Sequence, residues 1–356
     1  MYTSRTQQLL DLLNIQHPIL LSPMAGVTTP QLAAEVSQAG GLGALGLGAS
    51  NIASCQQQIA ATQALTARPF QVNFFCHQPE IANEAQQQAW IDYIRPHFER
   101  LNATPPQQLQ CIYPSFVEHD DFLDVVIASG VKIVSFHFGI PTTSQLARLK
   151  QAKIISMATA TNVHEAQCIQ AAGVDVIIAQ GVEAGGHRGS FHAHSESGLT
   201  TQDVLQQLLR ANINLPIVAA GGIATAQDIQ HFLTLGASAV QMGTRFIPCP
   251  SSNASTAYRH ALQQAQATQL TSLISGRNAR GIVNQWHGLD TAHRPQVAAY
   301  PYAYDLAKQL HAHAEQHGSQ QYAPFWAGTA IHRGGLSSMP AGQLVQQLVD
   351  ELQQLL

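Results

Sequence analysis

Short, uniformly apolar runs alternate with longer stretches of helical spacing over the first 247 residues. The runs fall at 18–22, 42–47, 70–74, 132–138, 153–157, 175–180, 216–220 and 239–242. Between most of them lie segments such as 30–39, 52–67, 163–172 and 225–235, which lack internal Gly and Pro and read as helices. Strands that are apolar throughout, rather than alternating, indicate a parallel sheet covered by helices. Eight such units predict a (β/α)8 TIM barrel over 1–247, although a doubly wound sheet shares the same local signals. The run 109–114 (LQCIYP) is a possible ninth strand, read here as part of the long excursion between the third and fourth strands. Residues 248–321 show no further rhythm. They read as a mostly helical insertion after the last strand, a lid or small second domain on the substrate side. Residues 322–356 return to the barrel and end in an amphipathic helix at 341–356.

Composition narrows the class. The net charge of the 356 residues is −4 with no basic block, which argues against nucleic-acid binding by bulk charge. Five dispersed cysteines (Cys55, Cys76, Cys111, Cys168, Cys249) without a Cys-x-x-Cys argue against a disulfide framework and a structural zinc site. The first residues lack the sustained apolar run of a signal peptide, and no stretch approaches the ~18 apolar residues of a membrane span. A reducing, cytoplasmic setting is expected.

One motif is a decoy. Gly41-Leu42-Gly43-Ala44-Leu45-Gly46 matches G-x-G-x-x-G, but a helix precedes it, the glycines lie within a strand, and no acid falls between Glu35 and Glu80. A dinucleotide site needs the opposite order and an acid about 20 residues on. Small residues that let a barrel strand pack tightly explain it better.

Barrels place chemistry at the carboxyl ends of their strands. Those ends carry Met24, Asn73, His137, Gln180, the loop 181–189, Gly221-Gly222 and Gln241-Met242-Gly243-Thr244. The glycines after the seventh and eighth strands fall where barrels commonly bind phosphate: backbone N–H groups approach closely, a helix N-terminus can follow, and Thr244 adds a hydroxyl. Alternatively they only shape tight turns. In 183–189 three glycines flank His187, so an imidazole that titrates near neutrality sits on backbone able to approach a flat ligand. His137 is a weaker candidate. His192 and His194, and His313 and His317, have metal-like spacings but lack a third ligand, so no metal is expected. Tyr300, Tyr304 and Lys308 recur at i, i+4, i+8. On a helix they share one face, either a solvated one or a cationic aromatic rim for an anionic substrate.

Together these residues resemble the nitronate monooxygenase family, FMN-dependent barrels formerly called 2-nitropropane dioxygenases. The resemblance rests on PILLSPMAGVTTPQLAAEVSQAGGLGALGLG, FQVNFF, VSFHFG, DVIIAQGVEAGGHRG, LPIVAAGGI and AVQMGTRF, in order across most of 18–247. SGRNARG (275–281), the Tyr300/Tyr304/Lys308 ladder and FWAGTA (325–330) are similar to the bacterial and fungal class that oxidises nitronates. The resemblance implies FMN as cofactor, with Met24 and Asn73 near the isoalloxazine, Gln180 bonded to it and Gly185 close by. Gly222, Gln241, Met242, Gly243 and Thr244 would hold the phosphate end. His187 would be the active-site histidine, with Tyr113, His137, Tyr300, Tyr304 and Lys308 on the substrate side.

The implied reaction takes an alkyl nitronate such as propionate 3-nitronate, with O2, to a carbonyl compound and nitrite. The cofactor carries the redox chemistry and the protein orients and tunes it. His187 would hold the nitro oxygens or take an α-proton from a neutral nitroalkane. Lys308 and the tyrosines would attract a carboxylated substrate. Two rivals stand beside this reading: an NAD(P)H-dependent FMN reductase of enoyl-thioesters or quinones, and a non-catalytic FMN-binding barrel.

Overall fold

A computed structural model describes residues 2–80, 82–193, 195–289, 291–335 and 338–356. Eight parallel strands form the barrel: β1 (Ile19–Leu21), β2 (Gly43–Gly46), β3 (Phe70–Phe75), β4 (Ile133–His137), β5 (Ile155–Ala160), β6 (Val176–Gln180), β8 (Ile217–Ala220) and β9 (Ala239–Met242). A further short strand, β7 (Gly186–His187), lies outside the wall. The order around the wall is β1-β9-β8-β6-β5-β4-β3-β2, and a parallel bridge from Leu20 to Leu42 brings the two ends together. The register aligns Phe75 with His137, Gln180 with Ala220 and Leu21 with Met242, so the carboxyl ends share one rim.

All eight predicted strands are present. The fifth begins later than its apolar run suggests, because Lys153 takes a left-handed conformation (φ 55°) after the preceding helix. The glycines of the decoy motif pack as expected: a β-carbon on Gly43 would collide with the Ala33 carbonyl of the adjoining helix.

Helices α1 (Ser4–Leu13), α2 (Pro30–Gln38), α3 (Ile52–Leu65), α4 (Glu84–Glu99), α5 (Asp120–Ser129), α6 (Thr143–Gln151), α7 (Val163–Ala172), α8 (Thr201–Arg210) and α9 (Ala226–Thr234) accompany the strands. Their starts are written locally. Thr142, Thr200 and Thr225 each close a reciprocal capping box, and the Thr29 hydroxyl accepts from the Leu32 amide. Leu9, Leu10 and Leu13 of α1 pack with Leu20, Ile133, Met157, Val176 and Val218, a core cluster that unites α1 with the barrel strands. No helix among the described residues is long and apolar enough to cross a membrane.

After β9 come α10 (Thr256–Gln264), the hairpin β10 (Thr268–Thr271) and β11 (Ala279–Ile282), and α11 (Tyr302–Gln316). The hairpin was not anticipated. Its second strand pairs antiparallel with β7, with Ala279 opposite His187. The segment 109–114 forms no strand; instead the Gln110 amide donates to Asp305 of α11 at 2.8 Å. Trp90, Ile94 and Phe98 of α4 join Trp286, Leu306 and Leu310 in a second core. The excursion after β3 and the insertion after β9 thus pack as one body. The closing helix α12 (Ala341–Leu355) buries Leu344, Val345, Leu348 and Leu352 against the barrel's outer core.

Candidate active site

A cavity of about 910 Å³ opens among the strand ends and reaches the residues brought by the insertion. Met24, Asn73, Gln180, Gly185, Gly222, Gln241, Met242, Gly243, Thr244, His187, Tyr113, His137, Tyr300, Tyr304 and Lys308 all line it. Every residue for which the resemblance implies a cofactor or substrate role therefore lines one cavity.

The loop after β6 is held from below. Buried Arg188 donates to the Gln180 side-chain oxygen at 2.9 Å, to the carbonyls of Gln180 and Gly181, and pairs with Glu196 at 2.9 Å. The Gln180 oxygen also accepts from the Gly189 amide at 2.8 Å, and its nitrogen donates to the His187 carbonyl at 3.1 Å. Its oxygen is thus engaged in shaping the loop, and one amide hydrogen remains for a ligand. Gly185 must be glycine because a β-carbon there would lie 2.5 Å from the Gly328 nitrogen.

The His187 ring is enclosed by Phe138, Tyr300, Tyr304 and Trp326, with centroids 5.3 to 5.8 Å away. Its Nε2 is 2.8 Å from the Ser275 hydroxyl. Burial, then the neighbouring His137 and Arg277, push its pKa down to about 3, so the ring is neutral near pH 7. His137 contacts the His187 carbonyl through Nε2 at 3.1 Å and Thr159 through Nδ1 at 3.1 Å. A carbonyl only accepts, so His137 carries its proton on Nε2. Burial lowers its pKa to about 4, a trend the bond to the His187 carbonyl opposes. Tyr113, also buried, is pushed up to about 12 by desolvation.

Tyr300 is not on the helix that its spacing suggested. Helix α11 begins at Tyr302, yet Tyr300, Tyr304 and Lys308 all reach the cavity. The Tyr304 hydroxyl accepts from the Trp326 indole at 3.1 Å.

At the opposite end, Gly221 and Gly222 adopt positive φ (117° and 69°), and the Thr244 hydroxyl accepts from the Gly328 amide at 3.0 Å, leaving its proton to donate. Helix α9 follows the Gly221-Gly222 turn, starting at Ala226. Asp228 accepts from the Ala224 and Thr225 amides at the start of α9, and only a three-residue 3-10 helix, Thr244–Phe246, follows β9.

Five buried polar atoms on the cavity-lining residues lack protein partners among the described residues: Gln241 Oε1, the Tyr300 hydroxyl, Nε and Nη1 of Arg245, and His311 Nδ1. Such orphans are rare in folded proteins and mark a place for a polar ligand. Arg245, Trp326, Ser275 and Arg277 were not assigned roles from sequence. The last three arrive from the insertion and the return segment, so only the fold brings them to His187. Arg245 carried a signal, a cation directly after Gly243-Thr244. Among the described residues no group of three His, Cys, Asp or Glu side chains is placed to hold a metal; His194 lies outside them.

The nitronate monooxygenase family matches residues 6–351. The chain is 46% identical over 349 residues to a nitronate monooxygenase of Paraburkholderia phytofirmans, covering 97% of this chain and 95% of that one. It is 43% identical to one of Pseudomonas aeruginosa, covering 98% and 99%. A nitroalkane oxidase structure from Streptomyces ansochromogenes superposes with a TM-score of 0.88 at 36% identity, covering 97% and 98%. FabK of Thermotoga maritima is less similar, with a TM-score of 0.74 at 26% identity, covering 98% and 96%. With a barrel of this topology, a loop of this shape and relatives matched end to end, the chain belongs to the nitronate monooxygenase family.

Proposed function

We propose that this chain oxidises alkyl nitronates, propionate 3-nitronate among them, with O2 to a carbonyl compound and nitrite, with FMN as its cofactor. One observation carries the reading: a single cavity joins the unpartnered atoms of Gln241 and Arg245 and the glycine turns to a neutral, aromatic-walled imidazole. That arrangement fits a flat, phosphate-tailed group. Gly222, Gln241, Gly243, Thr244 and Arg245 would hold its tail. Met24, Asn73, Gln180 and Gly185 would border its ring system. FMN, when bound, supplies the electron acceptance that this reaction needs.

The chain's own residues then handle the substrate. Phe138, Tyr300, Tyr304 and Trp326 exclude water around His187. Lys308 and the Tyr113 hydroxyl meet an anionic tail. The insertion and the excursion after β3 form the substrate side. The cysteines of the fold are free, which suits a cytoplasmic setting. The test is an absorbance scan of the purified chain, with and without propionate 3-nitronate under anaerobic conditions and with NADH as control. A flavin spectrum bleached by the nitronate and not by NADH is expected. A colourless protein that takes up no FMN, or a flavin spectrum the nitronate leaves unchanged, overturns the reading.

A further inference from the structure

The turn 275–277 grips His187 from behind. The Ser275 side chain is fully buried, and its oxygen has three neighbours: His187 Nε2 at 2.8 Å, the Arg277 carbonyl at 3.1 Å and the Arg277 amide at 3.3 Å. A serine hydroxyl has one proton to give. The Arg277 carbonyl can only accept and has no other donor among the described hydrogen bonds, so the Ser275 proton belongs there. The Arg277 amide donates in return. All groups are satisfied only if His187 donates from Nε2 to Ser275. The other nitrogen, Nδ1, has no protein partner among the described residues and is not sealed from the cavity.

We propose that Ser275 is a positioning residue that fixes the His187 proton on Nε2 and presents Nδ1 to the substrate as an acceptor. This rests on the functional reading above and decides between the two roles that reading leaves to the imidazole. An acceptor repels the oxygens of a nitronate. It is suited to the α-C–H of a neutral nitroalkane: the C–H bond breaks, its electron pair becomes the nitronate, and the proton forms an N–H bond at Nδ1. The imidazolium keeps its Nε2 proton on Ser275. The charged and titratable groups around the ring are His137, Arg277, Tyr300 and Tyr304. Arg277 donates to the Ser190 and Phe191 carbonyls and stacks 4.6 Å from the centre of Phe138, so the same turn fixes a cation beside the ring.

The test is nitrogen NMR of the full chain labelled at histidine, with the His187 signals assigned by their loss in His187→Asn. The native protein is expected to show a neutral ring protonated at Nε2. In Ser275→Ala the Nδ1-protonated form should appear, and turnover of a neutral nitroalkane should fall by about tenfold or more, a larger loss than for the preformed nitronate. Ser275→Thr should restore both. A native ring protonated at Nδ1 overturns the proposal even if the alanine variant does not fold. An unchanged tautomer in a folded Ser275→Ala protein overturns it as well. Failure of the native enzyme to act on any nitronate would instead overturn the functional reading.

Discussion

The Lys308 ammonium donates to the Tyr113 hydroxyl at 3.1 Å and lies 5.3 Å from the centre of that ring. Helix α11 and the excursion after β3 therefore meet at the cavity through a cation and a phenol. A substrate carboxylate arriving there finds both donors together. Lys308→Met is expected to raise KM for propionate 3-nitronate by about three- to tenfold while changing KM for uncharged-tail ethyl nitronate little, as steady-state oxygen consumption would show. Equal effects on the two substrates would remove Lys308 from carboxylate recognition.

Replacement of His187 separates chemistry from cofactor retention. His187→Asn should lower kcat/KM for a neutral nitroalkane by about 10²-fold or more, while the purified variant keeps its yellow colour, because the tail end of the cavity is untouched. Unimpaired turnover in that variant would show that the imidazole has no part in the reaction.

One buried imidazole, His77, and two partly buried ones, His137 and His187, make stability depend on pH. Burial holds His187 down to about 3, and His137 and His77 down to about 4, against an ordinary value of 6.5. Below pH 6.5 the unfolded chain takes up protons that the folded chain refuses. Stability is therefore full above pH 6.5 and is lost as pH falls toward 4. At pH 5 each such group removes about 2 kcal/mol. Thermal unfolding followed between pH 7.5 and 5 should show a falling Tm, with a shallower fall in His77→Phe, whose ring packs edge-on against Tyr300. A flat profile would mean that these rings protonate within the fold.

Gly185 is a packing constraint as well as a cavity wall. Gly185→Ala sets a methyl group against the backbone of Ala327 and Gly328. It should destabilise the protein by about 1–3 kcal/mol, visible as a lower Tm. A Tm unchanged from the native value would show that the return segment yields freely.

Much of this molecule is legible in its sequence because parallel strands buried on both faces leave continuous apolar runs, and their ends place Met24, Asn73, His137, Gln180 and Thr244 on one rim. What escaped has a common cause. TQLT and ARGI, the hairpin strands, are too short and too polar to announce themselves. Tyr300 keeps helical spacing with its neighbours while lying ahead of the helix. Ser275, Arg277 and Trp326 lie in SGRNARG and FWAGTA, stretches the resemblance marked, but their roles depend on contacts between segments far apart in the chain, which no local pattern encodes. Arg245 was visible beside Thr244, but its unpartnered nitrogens emerge only from the folded surroundings.

The pairing of β11 with β7 has an evolutionary and engineering consequence. The histidine-bearing strand has its ladder partner in the insertion rather than in the barrel wall. Exchanging that region for a homologue's would rebuild the imidazole's support along with any new selectivity, so specificity and proton handling are inherited together in this architecture.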